Sequence, residues 1–371
     1  MEMADSLEKE KKTVDIFPLG KGKRVLVYLC DLIINFALAF FLFNIAVFPS
    51  ARSIIHVDEK TSEIASFGTK RDSVLYGNNL LFAVDEEKKA SAYFNGSLTN
   101  TFTRYSSYFV NDASSDYDVF HNYYITIKND ASSYISVMKS NDKDLSFFDY
   151  SGSSPVLKDT YKKEFKPAFD SKDSLGDTAK SHYESFQNNF FLQCYYDMLG
   201  DIEKNDLTYG GVSYKTCQNH VNELSNVIDN TIAVSSYISE AMSILLLFLL
   251  VPLLGKNSKT VAMLFMKVER VNVYSLKLSR NRDVLLYFIY QVALNLALIL
   301  FVPLPTVSIN LVFGLGVLLP LSLISLGLAV ISLFFVLFNS FNRSLSDILT
   351  GTILITSDSL DEIYRSKGYK V

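Results

Sequence analysis

The sequence predicts an integral membrane protein: an all-α four-helix transmembrane bundle with a large α+β extracytoplasmic domain inserted between helices 1 and 2. Three observations carry this. Between Asp283 and Arg343 there is not one Asp, Glu, Lys, Arg or His across 59 positions. About 20 apolar residues cross the ~30 Å hydrocarbon core as a helix, so such a run allows two crossings with a turn between them. The charges elsewhere are segregated: residues 50–231 hold 18 Lys and Arg against 26 Asp and Glu, a balance of −8, while the segments on either side are basic. Finally, 49% of the 371 residues are apolar and 20% charged, which excludes a disordered chain, a collagen and a disulfide-rich miniprotein and argues against a soluble enzyme.

Residues 1–23 read as a cytoplasmic leader carrying Lys9, Lys11, Lys12, Lys21 and Lys23. Transmembrane helix 1 is expected over 24–49. A signal peptide is the competing reading, but the apolar stretch exceeds the about 7–15 residues of a signal core and contains Asp31 and Asn35. Transmembrane helix 2 is expected over 232–254, ending at Pro252 and Gly255. The loop 255–283 carries Lys256, Lys259, Lys267, Arg270, Lys277, Arg280 and Arg282 against Glu269 and Asp283. By the positive-inside rule this loop and the leader are cytoplasmic, which leaves the acidic insert outside. Pro303 and Pro305 divide the charge-free run into helix 3, 284–302, and helix 4, 307–338. The tail 339–371 then returns to the cytoplasm with Arg343, Arg365, Lys367 and Lys370. Gly314, Gly316 and Pro320 leave open a break within helix 4, yet its length is too short for two crossings.

The insert, 50–231, has two textures. Up to about residue 150, alternating runs such as 123–128 (YYITIK) and 134–138 (YISVM) predict strands. After the SGSSP punctuation at 151–155 the pattern turns helical, with Tyr183, Phe186, Phe190, Cys194 and Met198 on one stripe that reads as a core face.

Cys194 and Cys217 lie on two expected helices separated by Gly210 and Gly211. An antiparallel pair would bring them together, and a disulfide between them is expected, worth roughly 3 kcal/mol in the chain-entropy model. A metal reading would add His182 and His220, but only Cys217 and His220 show ligand spacing, so no metal is expected. Cys30, in helix 1, behaves as a small hydrophobe. No nucleophile elbow, zinc-binding helix, P-loop or paired C-x-x-C occurs. The sequence therefore predicts no enzyme, no catalytic residues and no cofactor. Basic residues beside a membrane are explained by anionic headgroups, without nucleic acid.

Arg24 stands at the mouth of helix 1, with Asp31 seven residues further along nearly the same face. After helix 4 the chain reads FNRSLSDILTGTILI, placing Asp347 four residues beyond Arg343 and just before Gly351 and Thr352. This constellation resembles the RDD family of membrane proteins, named for an Arg and two Asp, here Arg24, Asp31 and Asp347. The segment 259–271 resembles the family's basic cytoplasmic stretch, except that Ala262 and Met263 stand where a Gly and a Lys are usual. The resemblance covers about 18–50 and 232–356, not the acidic insert. It implies Arg24, Asp31 and Asp347 as the characteristic residues, supported by Arg343, Gly351, Thr352 and Asn35.

An ionised carboxylate inside a span costs at least ~2.5–3.5 kcal/mol and needs a partner or a water path. Asp31 then has two readings. One is a proton or cation path lined by Asn35, Gln291 and Asn295; the other is a clamp in which Asp31 and Asp347 pair with Arg24, Arg343 or Arg282. The clamp is favoured on geometry. Glu240 reads as an acid that snorkels to the outer interface. Three functions follow: an accessory or scaffold subunit presenting an extracytoplasmic binding domain, small-solute or cation transport through an oligomer, or an outer-surface sensor. The expected partners are the lipid bilayer and a protein partner or a second copy. The expected location is the cell membrane, with both termini cytoplasmic.

Overall fold

The computed structural model describes residues 18–83, 94–143, 146–152, 154–170, 175–255, 259–273, 281–295 and 318–366. The leader through Phe17 and the run 296–317, with the Pro303 and Pro305 break and the Gly314 and Gly316 pair, lie outside the described residues. The chain is mostly helical and divides into two compact units, Met1–Val57 with Val227–Val371, and Asp58–Asn226.

Among the described residues, two helices are long and apolar enough to cross a membrane: α1, Lys21–Ile54, and α2, Tyr214–Leu254. Among the described residues, five further helices and one strand pair follow them: α3 (Val261–Phe265), β1 (Val268–Asn272), α4 (Asn281–Asn295), α5 (Leu318–Phe338), α6 (Leu345–Thr350) and β2 (Thr352–Thr356), with α7 (Ser357–Ser366) closing the described chain. Pro49 does not end the first helix. A π-helical turn, Phe43–Val47, precedes it and shifts the hydrogen-bond register, so that Pro49 begins a fresh turn where its missing N–H is not needed. Pro252 uses the same device after the π-turn Leu245–Leu250.

These helices are inside out relative to those of a water-soluble protein. Along α1 the buried stripe is Arg24, Val27, Asp31, Asn35, Ala39 and Phe43, while Leu26, Leu29, Ile33, Phe41 and Ile45 point outward. On α2, Ser235, Ser236, Ser239, Glu240 and Ser243 are buried and Val234, Ile238, Met242 and Leu245 are exposed. Polar groups facing inward and large apolar groups facing outward is the arrangement a hydrocarbon solvent selects.

The expected loop 255–283 and tail contain a feature that the sequence reading missed. β1 and β2 pair antiparallel over five residues, from Val268 opposite Thr356 to Asn272 opposite Thr352. Val268 and Leu354 pack with Leu19, Val27 and Met263 on one side, and Val271, Ile353 and Ile355 pack with Leu360 and Ile363 of α7 on the other.

The insert corrects the α+β expectation. Its only strands among the described residues are two hairpins of two-residue strands, Phe148–Asp149 with Val156–Leu157 and Thr208–Tyr209 with Val212–Ser213. The described residues of SGSSP, 151, 152, 154 and 155, lie between the two strands of the first hairpin, so the stretch does not divide a strand-rich part from a helical one. Residues 123–128 and 134–138, expected as strands, are helical. Asp118 accepts from the amide of His121 at 3.0 Å ahead of the π-turn Asn122–Ile127, and Asp130 accepts from the amide of Ser133 at 3.0 Å to start the helix Ala131–Asn141. These N-caps, with Tyr134 and Met138 buried four residues apart, outweigh the β propensity of Tyr and Ile.

The core of the insert is aromatic. Phe102, Tyr105, Phe186, Phe190 and Phe191 stack or meet edge to face, with Phe186 and Phe190 parallel within 5° and their centroids 5.5 Å apart. The stripe at Phe186, Phe190, Cys194 and Met198 is buried in this core as expected, and the π-turn Phe186–Phe191 brings Phe191 in as well. Gly210 and Gly211, both at positive φ, form the tight turn that leads into α2. Cys194 and Cys217 are free, and both are buried, which corrects the disulfide expectation. The reason is facial: Cys194 sits on the core side of Leu192–Asn205, its thiol turned to the carbonyl of Val137, while Cys217 lies in the first turn of α2 near Lys70 and Arg71.

Candidate functional site

The polar residues of α1 form three successive contacts, all within the unit that holds α1, α2 and β1–β2. The first is at the start of the helix, whose N-cap, Gly20, provides no side-chain cap. Arg24 forms a buried ion pair with Asp347 and donates to the Ser344 hydroxyl at 2.9 Å. Asp347 is held ready by a capping box at the start of α6: its Oδ2 accepts from the Ser344 amide at 2.9 Å and the Ser344 hydroxyl at 2.7 Å. Arg343 does not take part in an ion pair with either aspartate. Its guanidinium donates to the carbonyls of Thr352 at 3.0 Å and Asp347 at 2.8 Å, satisfying the end of α6. Gly351, at φ 66°, closes α6 in the left-handed conformation, and the Thr352 hydroxyl bonds to that of Thr350 at 2.7 Å.

The second contact holds Asp31. Its Oδ2 accepts from the hydroxyl of Thr260 at 2.8 Å and its Oδ1 from the amide of Ala262 at 3.2 Å. Thr260 is itself the N-cap of α3, so the carboxylate of α1 sits at the N-terminus of that short helix, where unpaired amides favour negative charge. Asp31 is therefore hydrogen-bonded to neither Arg24 nor Arg343. The Arg282 and Asn295 side chains lie outside the described residues. Gln291 is buried and lines the same cavity as Arg24 and Asp31.

The third contact lies one turn further along. Asn35 donates to Glu240 Oε1 at 2.7 Å and accepts at Oδ1 from Ser243 at 2.7 Å. Glu240 is 0% exposed, which corrects the snorkelling expectation: the acid turns inward because Asn35 offers a donor there. Outside the spanning helices, Lys259 and Glu269 form an ion pair, and Ser357 donates to Glu269 at 3.0 Å.

In the insert, His182 meets Glu164 at 2.8 Å and His220 lies against the ring of Phe67, so these histidines do not converge with Cys194 and Cys217. Sequence reasoning missed Thr260, Ser344 and Glu240 as partners. The first two had a visible signal, since a Ser or Thr before an apolar run is an N-cap signature and Ser344 to Asp347 has capping-box spacing. The pairing of Glu240 with Asn35 across two helices had none. No protein-family model, curated protein or solved structure matches the chain.

Proposed function

We propose that this chain is an RDD-like multi-pass membrane protein acting as an accessory or scaffold subunit, in which the polar cluster fastens the helix bundle and the insert is the binding domain. One observation carries the reading: the two aspartates of the cluster are spent on fastening. Asp347 is bound to Arg24 and Ser344, and both oxygens of Asp31 are taken by Thr260 and Ala262. An amide supplies the second Asp31 contact, so Ala262 serves where the RDD pattern has Gly. In this reading four spans place both termini in the cytoplasm and the acidic insert outside, supported by the basic segments 1–24 and 255–283. The test is native purification of the full chain in mild detergent with mass spectrometry of co-eluting proteins. A stoichiometric foreign partner is the expected result; a clean homo-oligomer with none counts against it.

A second reading, small-solute or cation transport through an oligomer, draws on Glu240, whose Oε2 has no hydrogen-bond partner among the described residues. Asp31→Asn and Glu240→Gln separate the two. For a scaffold, D31N lowers the amount of folded protein, and neither change affects flux in proteoliposomes beyond that loss. For transport, flux disappears in protein of normal abundance.

A further inference from the structure

The cavity beside Arg24 is small, polar at one end and incompletely satisfied. Its volume is about 40 Å³. One water needs roughly 10–15 Å³ on this measure, so the space takes two or three waters or one small ion. Two guanidiniums line it. Arg24 is 7% exposed and Arg270, on β1, is 1% exposed. Arg24 uses Nη2 for Asp347 and Ser344 and leaves Nη1 without a partner among the described residues. Arg270 lies with its guanidinium carbon 3.7 Å from the centroid of the Tyr287 ring and leaves both Nε and Nη2 without one.

Nearby acids do not fill this role. Strand alternation directs Glu269, the neighbour of Arg270, to Lys259 and Ser357. Asp31 lines the cavity, but its hydrogen bonds run to Thr260 and Ala262. Burying charged donors without acceptors carries a desolvation penalty that a charge-assisted hydrogen bond removes. The ring of Tyr287 compensates one face of Arg270, while the in-plane N–H groups of a guanidinium require an acceptor.

We propose that the three unpartnered nitrogens of Arg24 and Arg270 are the donors of a binding site for a small inorganic anion of halide size. The volume sets the size limit, and the two guanidiniums set the sign. The site is independent of whether the chain is a scaffold or a transporter.

The test is equilibrium binding of radioactive chloride to the full chain, purified in neutral detergent in chloride-free gluconate buffer. Saturable binding of about one ion per chain is expected, displaced by bromide but not by sulfate, which exceeds the cavity. Arg270→Gln is expected to weaken it about tenfold or more, through loss of charge-assisted donors. Should that variant fail to fold, Ala329→Leu fills the cavity while keeping both arginines, and the same loss is expected. Absence of saturable binding in the wild-type chain overturns the proposal, as does wild-type affinity in R270Q or A329L. Nanodiscs distinguish a lipid source: binding should persist in both phosphatidylcholine and phosphatidylglycerol. Loss in both lipids relative to neutral detergent, or in anionic phosphatidylglycerol alone, would mean that a lipid phosphate takes the donors, and would overturn the assignment to a free anion.

Discussion

Asp347 holds the Ser344 amide and hydroxyl and the Arg24 guanidinium with one carboxylate, at 1% exposure. Removing one partner of a buried ion pair leaves the other charge without compensation, which typically costs about 3–5 kcal/mol. Asp347→Asn should therefore lower the thermal midpoint of the detergent-purified chain more than Arg343→Gln, whose partners are neutral backbone carbonyls rather than a charge; equal midpoints would refute this. In the insert, Asp118 gives a pH-dependent counterpart. It is buried beside Tyr134, whose hydroxyl donates to it at 2.7 Å, and burial raises its carboxyl above the ordinary value of 3.8. A carboxyl with a raised folded pKa stabilises most below its unfolded pKa, and that contribution is lost as pH rises through the folded value. The stability difference between wild type and Asp118→Asn should therefore move against the wild type as pH rises from about 4 to 7. Near-UV circular dichroism during thermal unfolding reads it. At this scale Arg24, Asp31 and Asp347 were legible as chemistry-bearing residues because a charge in an apolar run is conspicuous. Asp347 was among the partners that the clamp reading offered Arg24, whereas Thr260 was not foreseen as the partner of Asp31, because it comes from a segment more than 200 positions away and only packing brings it to α1.

At the scale of elements, the two spanning helices and the stripe of Leu192–Asn205 could be read from apolar length and period, since burial in lipid or core leaves a strong pattern. The strand reading of 123–138 failed because Tyr, Ile and Val alternate by chance there, while the deciding information lay in Asp118 and Asp130 just before each run. The aromatic core makes a quantitative prediction. Phe186 is fully buried and meets Phe102, Phe147, Phe165 and Phe190. Phe186→Ala should cost about 3–5 kcal/mol, as for other buried Phe truncations, and should collapse the near-UV signal at a lower temperature. The free thiols offer a simpler check. Cys194 and Cys217 should react with maleimide only on unfolding, with or without reductant; a reductant-dependent signal in denatured chains would restore the disulfide.

For the whole molecule, the division into two units follows the charge segregation visible in the sequence, with the acidic 58–226 segment folding on its own aromatic core. Placement of the insert outside the cell and of both termini inside is a proposal with a direct test. Ser154→Cys and Glu362→Cys introduce exposed thiols in the insert and in α7. In intact cells an impermeant maleimide should label the first above the parent chain and reach the second only after permeabilisation. Labelling of Glu362→Cys in intact cells would refute both termini being cytoplasmic.

The β1–β2 ladder also sets a schedule for synthesis. Val268 emerges from the ribosome 88 residues before Thr356, its partner. At ~5–20 residues per second, β1 waits roughly 4–18 s with an unpaired edge. Asp347 is made late too, so Arg24 is synthesised long before its counter-charge exists. During that interval the nascent chain carries an open edge and an uncompensated cation, both features that chaperones and membrane proteases recognise. A stop codon before residue 345 would make this state permanent, and such a chain should be degraded although every helix able to cross the membrane has been made.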